Sequence, residues 1–132
     1  MCGILGGINL IQDNVLLGLE SMIHRGPDST GIFTTEFSSG NITLGMNRLA
    51  ITGILTGAQP LYSVCEQVVL TFNGEIYNYK ELWSKLNLDR KPRSDGDVII
   101  ELYLRYGVEG LKELRGMFAI ALYDKQNEKD RK

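Results

Sequence analysis

The chain has 132 residues, enough for a sizeable core in one domain, and its 43% hydrophobic and 23% charged residues exclude a disordered polymer. A net charge of -2, with no Lys/Arg cluster interleaved with aromatics, offers no basic face for nucleic acid. No apolar run approaches the ~18 residues of a membrane span, and the first residues lack the basic start and long apolar stretch of a signal peptide, so the expected address is cytoplasmic.

In chain order, residues 3–9 are small and branched, the pattern of a buried strand. A turn at Gln12-Asp13-Asn14 follows, with Asn14 expected to cap an amphipathic helix over residues 15–23. His24-Arg25-Gly26-Pro27-Asp28 is expected to be a loop, because proline biases Gly26 away from the α region. Residues 31–35 and 42–46 are expected strands joined through Ser38-Ser39-Gly40-Asn41. Residues 47–60 show no period and predict a long loop, the kind often used for function. Residues 67–72 form a β-branched strand running into Asn73-Gly74, a pair that between apolar runs ordinarily makes a hairpin turn. Asn78-Tyr79-Lys80-Glu81 has the form of a capping box opening a helix to about Leu86. Ser94-Asp95-Gly96-Asp97 opens another, whose Val98, Ile99, Leu102, Tyr103 and Tyr106 recur at helical spacing before Gly107 stops it. A short helix over 108–114 and an apolar strand over 117–123 complete the pattern, and residues 125–132 form a polar, mostly charged tail. Strands grouped before and after helices, without regular alternation, predict an α+β protein with mainly antiparallel sheets and one domain over residues 1–124.

Both cysteines, Cys2 and Cys65, are expected to be free thiols, and with His24 the only histidine there are too few ligands for a zinc site. Cys2 is the chemically suggestive one. Removal of Met1 would leave it with a free α-amine whose reference pKa of about 7.7–8.0 lies near working pH, so one residue would hold both a nucleophile and a base. A thiolate attacking an amide carbonyl needs oxyanion donors, groups that hold the substrate's charges and a proton for the leaving amine. Asn73 and Gly74 offer a side-chain and a backbone N–H for the first need. Arg48 offers a planar fork for a carboxylate, and Asp95 or Glu75 a partner for an ammonium. Each has a plainer reading: Arg48 as half of a surface ion pair, Asp95 as an acidic residue of a first helical turn.

Met1-Cys2-Gly3-Ile4, Arg25-Gly26-Pro27-Asp28, Asn47-Arg48-Leu49-Ala50-Ile51, Gly57-Ala58-Gln59-Pro60, Phe72-Asn73-Gly74-Glu75-Ile76-Tyr77-Asn78, Ser94-Asp95-Gly96-Asp97 and Gly116-Met117-Phe118-Ala119 occur in this order along the chain. In order and approximate spacing they resemble the glutamine-hydrolysing domain of asparagine synthetase, a class II glutamine amidotransferase and N-terminal-nucleophile hydrolase. The resemblance implies a four-layer αββα sandwich. It implies Cys2 as nucleophile with its freed amine as base, Asn73 and Gly74 as the oxyanion hole in place of a hairpin turn, and Arg48 on the glutamine carboxylate. Asp95 and Glu75, aided by backbone carbonyls near Leu49 and Ile51, would take the ammonium. The implied reaction converts glutamine and water to glutamate and ammonia through a γ-glutamyl thioester on Cys2, with no metal or cofactor of its own. By the same resemblance, Arg25 to Asp28 is a structural loop near the nucleophile and His24 is no acid or base.

The family pattern normally continues past the strand at 117–123 into a further strand and a segment that closes the sandwich, so a C-terminally truncated domain is implied. The Ser-Gly-Gly-x-Asp-Ser loop that binds ATP in the synthetase half does not occur here. ATP and Mg would therefore belong to a synthetase domain or chain outside this one, the implied partner. Two other readings stand beside this: a non-catalytic relic serving as a binding or interaction domain, and a terminal-cysteine hydrolase of a different amide.

Overall fold

In the computed structural model, which describes residues 1–51 and 53–126, the small and branched opening run forms β1 (Gly3–Ile8). Helix α1 (Gln12–Ser21) follows, then a 3-10 turn at Ile23–Arg25. Strands β2 (Ser29–Phe37) and β3 (Gly40–Arg48) make a hairpin in which Phe37 pairs with Gly40. After the long loop come β4 (Leu61–Tyr62) and β5 (Val68–Ile76). Helices α2 (Tyr79–Leu86) and α3 (Asp97–Tyr106), a 3-10 segment at Gly107–Glu113 and β6 (Gly116–Asp124) end the order. Lys125 remains tied to the sheet through its N–H on Gln67 O, 2.9 Å, and residues 127–132 of the expected charged tail lie outside the described residues.

Two antiparallel sheets result, ordered β1-β3-β2 and β4-β5-β6. Helix α1 covers the outer face of the first sheet, its buried Val15 and Leu19 lying over Gly45 of β3. Helices α2 and α3 cover the outer face of the second. Val68, Leu70, Phe72 and Ile76 of β5 form one buried cluster with Leu82, Trp83 and Leu86 of α2 and Val98, Ile99 and Leu102 of α3. Strand alternation turns the odd-numbered residues of β5, among them buried Val69 and Thr71, toward the first sheet. Phe33 of β2 meets Tyr62 of β4 and Tyr123 of β6 across the gap, with ring centroids 6.0 Å apart in each pair. This is the four-layer αββα order that the resemblance implied. Thr43 to Arg48 of β3 are all buried, since both faces of that strand are covered.

Three local expectations are corrected. Helix α1 starts at Gln12 rather than at Val15, and Asn14 caps nothing: its backbone N–H bonds Ile11 O, 3.0 Å, within the first turn. Packing of Val15 and Leu19 on β3 sets the helix, and Asp13 is the acidic residue of its first turn. Asn78 does flank α2, but its side chain does not cap it. Its Oδ1 accepts the Arg115 N–H and its Nδ2 donates to Glu113 O, both 2.9 Å, which draws it onto the turn before β6. Asn73-Gly74 is not a hairpin turn, because β5 runs through both and pairs with β6 over its whole length. Among the described residues no helix is long and apolar enough to cross a membrane.

A buried carboxylate fixes the segment before α3. Asp97, 0% exposed, accepts the Arg93 backbone N–H at 2.7 Å, Arg93 Nε at 3.0 Å and Arg90 Nη1 at 3.0 Å. Arg93 Nη2 reaches Tyr62 O of β4 at 2.7 Å, so the same network joins helix and sheet. Burial pushes the Asp97 carboxyl up, but the bonds from Arg93 and Arg90 outweigh it and hold the carboxyl below its ordinary value. Its folded pKa is then lower than its unfolded one, so its stabilisation is complete above about pH 3.9 and is lost as pH falls through the folded value. Asp97→Asn should lower the unfolding free energy by about 3 kcal/mol at pH 7. In urea titrations at descending pH, that deficit should narrow below about pH 3.9.

Candidate active site

The β1–β3 register pairs Gly3 with Asn47, which places Cys2 beside Arg48 at one end of the first sheet. The Cys2 thiol is held by the backbone of one residue: Sγ donates to Leu49 O at 3.6 Å and accepts the Leu49 N–H at 3.3 Å. The loop at 25–28 braces this strand end, with the Asp28 N–H on Arg48 O at 3.0 Å and Asp28 Oδ2 accepting the Ala50 N–H at 2.8 Å. This loop therefore packs against the strand end that carries Cys2. Arg48 is 6% exposed and so is not half of a surface pair. Its Nη1 donates to Ile54 O at 3.3 Å and its Nη2 to Gly53 O at 2.5 Å, fixing the guanidinium on the loop after β3.

Strand β5 supplies the opposite wall. In an antiparallel ladder, alternate residues direct their N–H groups to the same edge. On the β4 side of β5, the Phe72 N–H donates to Gln59 Oε1 and the Ile76 N–H to Asp95 Oδ2, each at 2.8 Å. Gly74 lies midway between them, so its N–H faces the same edge, past the end of β4. Gly74 has a φ of 138°, and a Cβ there would lie 1.9 Å from Met117 O of β6, so the position requires glycine. Asn73 Oδ1 is buried without a hydrogen-bond partner among the described residues. Glu75 is exposed, whereas Asp95 is buried just before the Gly96 N-cap of α3.

Every site residue named from the sequence lines one cleft of about 310 Å³: Cys2, Arg48 and Leu49 from one side, Asn73, Gly74 and Glu75 from another, with Asp95 and the exposed Ile51. Gln59, Ser94 and Phe118 line it too and had been given no role. Gln59 sits in the Gly-Ala-Gln-Pro motif, and Phe118 in Gly-Met-Phe-Ala, so the motifs themselves were the available signal. His24 is exposed on its 3-10 turn and Cys65 is exposed after β4; neither lines the cleft. The Ser63 hydroxyl holds the Cys65 thiol below its ordinary value without bringing it near this chemistry.

The sequence model of the glutamine amidotransferase domain matches residues 1–130. The chain belongs to that family. Asparagine synthetase B [glutamine-hydrolyzing] of Escherichia coli K12 is 42% identical to it, over 98% of this chain and 24% of that protein. Asparagine synthetase [glutamine-hydrolyzing] of Zea mays is 41% identical, over 94% of this chain and 22% of that protein. The amidotransferase domain thus spans about a quarter of the length of the curated relatives it matches. Among solved structures, glutamine phosphoribosylpyrophosphate amidotransferase from B. subtilis, complexed with ADP and GMP, superposes with a TM-score of 0.75. The match covers 92% of this chain and 35% of that one at 22% identity, a likeness of fold.

Gly74→Ala places a methyl group against the β6 backbone in a conformation that L residues avoid. It should destabilise the amidotransferase domain by at least about 1–3 kcal/mol, read as a lowered urea midpoint at unchanged m-value.

Proposed function

We propose that this amidotransferase domain hydrolyses glutamine to glutamate and ammonia through a γ-glutamyl thioester on Cys2. One observation carries the reading: a thiol, a buried arginine, a side-chain amide, a glycine backbone N–H and two carboxylates share a single cleft. These are the groups that a free amino acid with a side-chain amide requires. Arg48 meets the α-carboxylate, and Asp95, Glu75 and the nearby backbone carbonyls meet the α-ammonium. The Ile76 N–H holds Oδ2 of Asp95, and the residue lines the cleft where the ammonium would sit.

With Met1 removed, the Cys2 α-amine takes the thiol proton, and Sγ bonds to the glutamine amide carbon. The carbonyl oxygen becomes an oxyanion held by the Gly74 N–H and the Asn73 side-chain amide. Collapse of this adduct breaks the C–N bond, and the proton on the α-amine leaves with ammonia. Water, activated by the same amine, then cleaves the thioester and frees glutamate and Cys2. The similarity to glutamine-hydrolysing asparagine synthetases supports delivery of the ammonia to a synthetase domain or partner that makes asparagine.

Cys2→Ala should abolish glutamate release from glutamine while leaving the unfolding midpoint unchanged, with intact mass verifying loss of Met1 in the wild type. Glutaminase activity retained by that variant would sink the reading. Arg48→Lys loses the planar fork and should raise the KM for glutamine about 10- to 100-fold with a much smaller change in kcat.

A further inference from the structure

Gln59 presents a side chain the reaction above does not use, and its position follows from the ladder. Strand β4 pairs Leu61 with Leu70 and Tyr62 with Val69 and then ends. Continuing that register sets Gln59 opposite Phe72, where a main-chain carbonyl would ordinarily accept the Phe72 N–H. The Gln59 carbonyl is not there: it lies against β2, where a Cβ on Gly31 would be 2.0 Å from it. Its side-chain Oε1 takes the place of the missing acceptor, 2.8 Å from the Phe72 nitrogen.

We infer that Gln59 is a positioning residue for oxyanion stabilisation, holding the β5 backbone immediately before Asn73 and Gly74 by substituting its side-chain amide for the ladder bond that β4 fails to make. The inference rests on the glutamine-hydrolysis reading. Asp95 fixes the Ile76 N–H on the far side of Gly74, so the donor is braced two residues away in each direction. Without the Gln59 bond, Phe72 loses its in-plane restraint, and the Asn73 amide and Gly74 N–H lose the fixed geometry on which transition-state stabilisation depends. Arg48 is anchored separately on Gly53 and Ile54, so capture of the amino-acid end of glutamine is independent of this bond.

The test compares Gln59→Leu, which removes the acceptor, with Gln59→Glu, which keeps an oxygen at the same reach. Both are made in the full chain with Met1 processed. Gln59→Leu should lower kcat for glutamine about 10- to 100-fold with KM changed less than about threefold. It should weaken inhibition by a γ-glutamyl aldehyde, which forms an oxyanion on Cys2, by the same factor while leaving product inhibition by glutamate unchanged. Gln59→Glu should recover most of the loss. Hydrogen exchange at the Phe72 amide should be slow in the wild type and in Gln59→Glu, and fast in Gln59→Leu. Should Gln59→Leu not fold, Gln59→Glu decides alone: slow exchange at Phe72 with kcat retained supports the role, and fast exchange with kcat retained overturns it. Unchanged kcat in folded Gln59→Leu, or a loss in which KM and glutamate inhibition shift equally, overturns the inference alone. A processed wild type that releases no glutamate overturns the functional reading, and this role with it.

Discussion

The site depends on a sheet edge that is deliberately incomplete in outline: β4 pairs with β5 for two residues and stops, while β5 continues to Ile76. Buried backbone N–H groups must find partners, and leaving one unsatisfied costs about 1–3 kcal/mol. Of the three N–H groups that β5 turns toward this open edge, those of Phe72 and Ile76 are taken by the side chains of Gln59 and Asp95. The Gly74 N–H lies between them. Completing the ladder with backbone would satisfy all three and leave nothing to meet a ligand. Completing it with two side chains keeps the strand rigid and leaves the middle donor at the cleft.

The rest of the architecture brings Asn73 and Gly74 of the second sheet to the same cleft as Cys2 of the first. Cys2 and Arg48 share a strand end because β1 and β3 pair in one register, and a slip of one residue would turn both to the opposite faces. Aromatic packing of Phe33 against Tyr62 and Tyr123 holds the two sheets face to face. The arginines on Asp97 then fix the approach to α3, and so the height at which Asp95 meets β5. Core packing, a buried ion network and a strand register therefore converge on one cleft.

Local sequence made the strands and the α3 periodicity legible, because each is written within a few adjacent residues. The motif order carried the four layers and the cleft residues, which no propensity argument reaches. What stayed hidden depends on long-range partners. Asn14 and Asn78 both have the side chain of a helix cap, yet one is enclosed within a helix and the other is claimed by Glu113 and Arg115, far along the chain. Asn73-Gly74 has the composition of a hairpin turn, but β6 pairs across it and extends the strand instead. Gln59 was visible as part of a motif and silent as to role, since its acceptor duty exists only once β4 is known to begin at Leu61.

Asp95 and Glu75 separate two jobs that residue type alone would merge. Asp95 is 2% exposed, and its carboxylate is supported from the protein side by the Ile76 N–H and by its place at the start of α3, where helix dipoles favour negative charge. Its position is therefore fixed before any ligand arrives, and it contributes to the strand as well as to the cleft. Glu75 is exposed and lines the same cleft from the strand itself. An incoming ammonium would meet one carboxylate whose position is already fixed by the fold and another that gains order by binding. On the proposed reading, the buried member would set where the amino-acid end lies relative to Gly74, and the exposed one would add attraction that solvent screens in the open cleft.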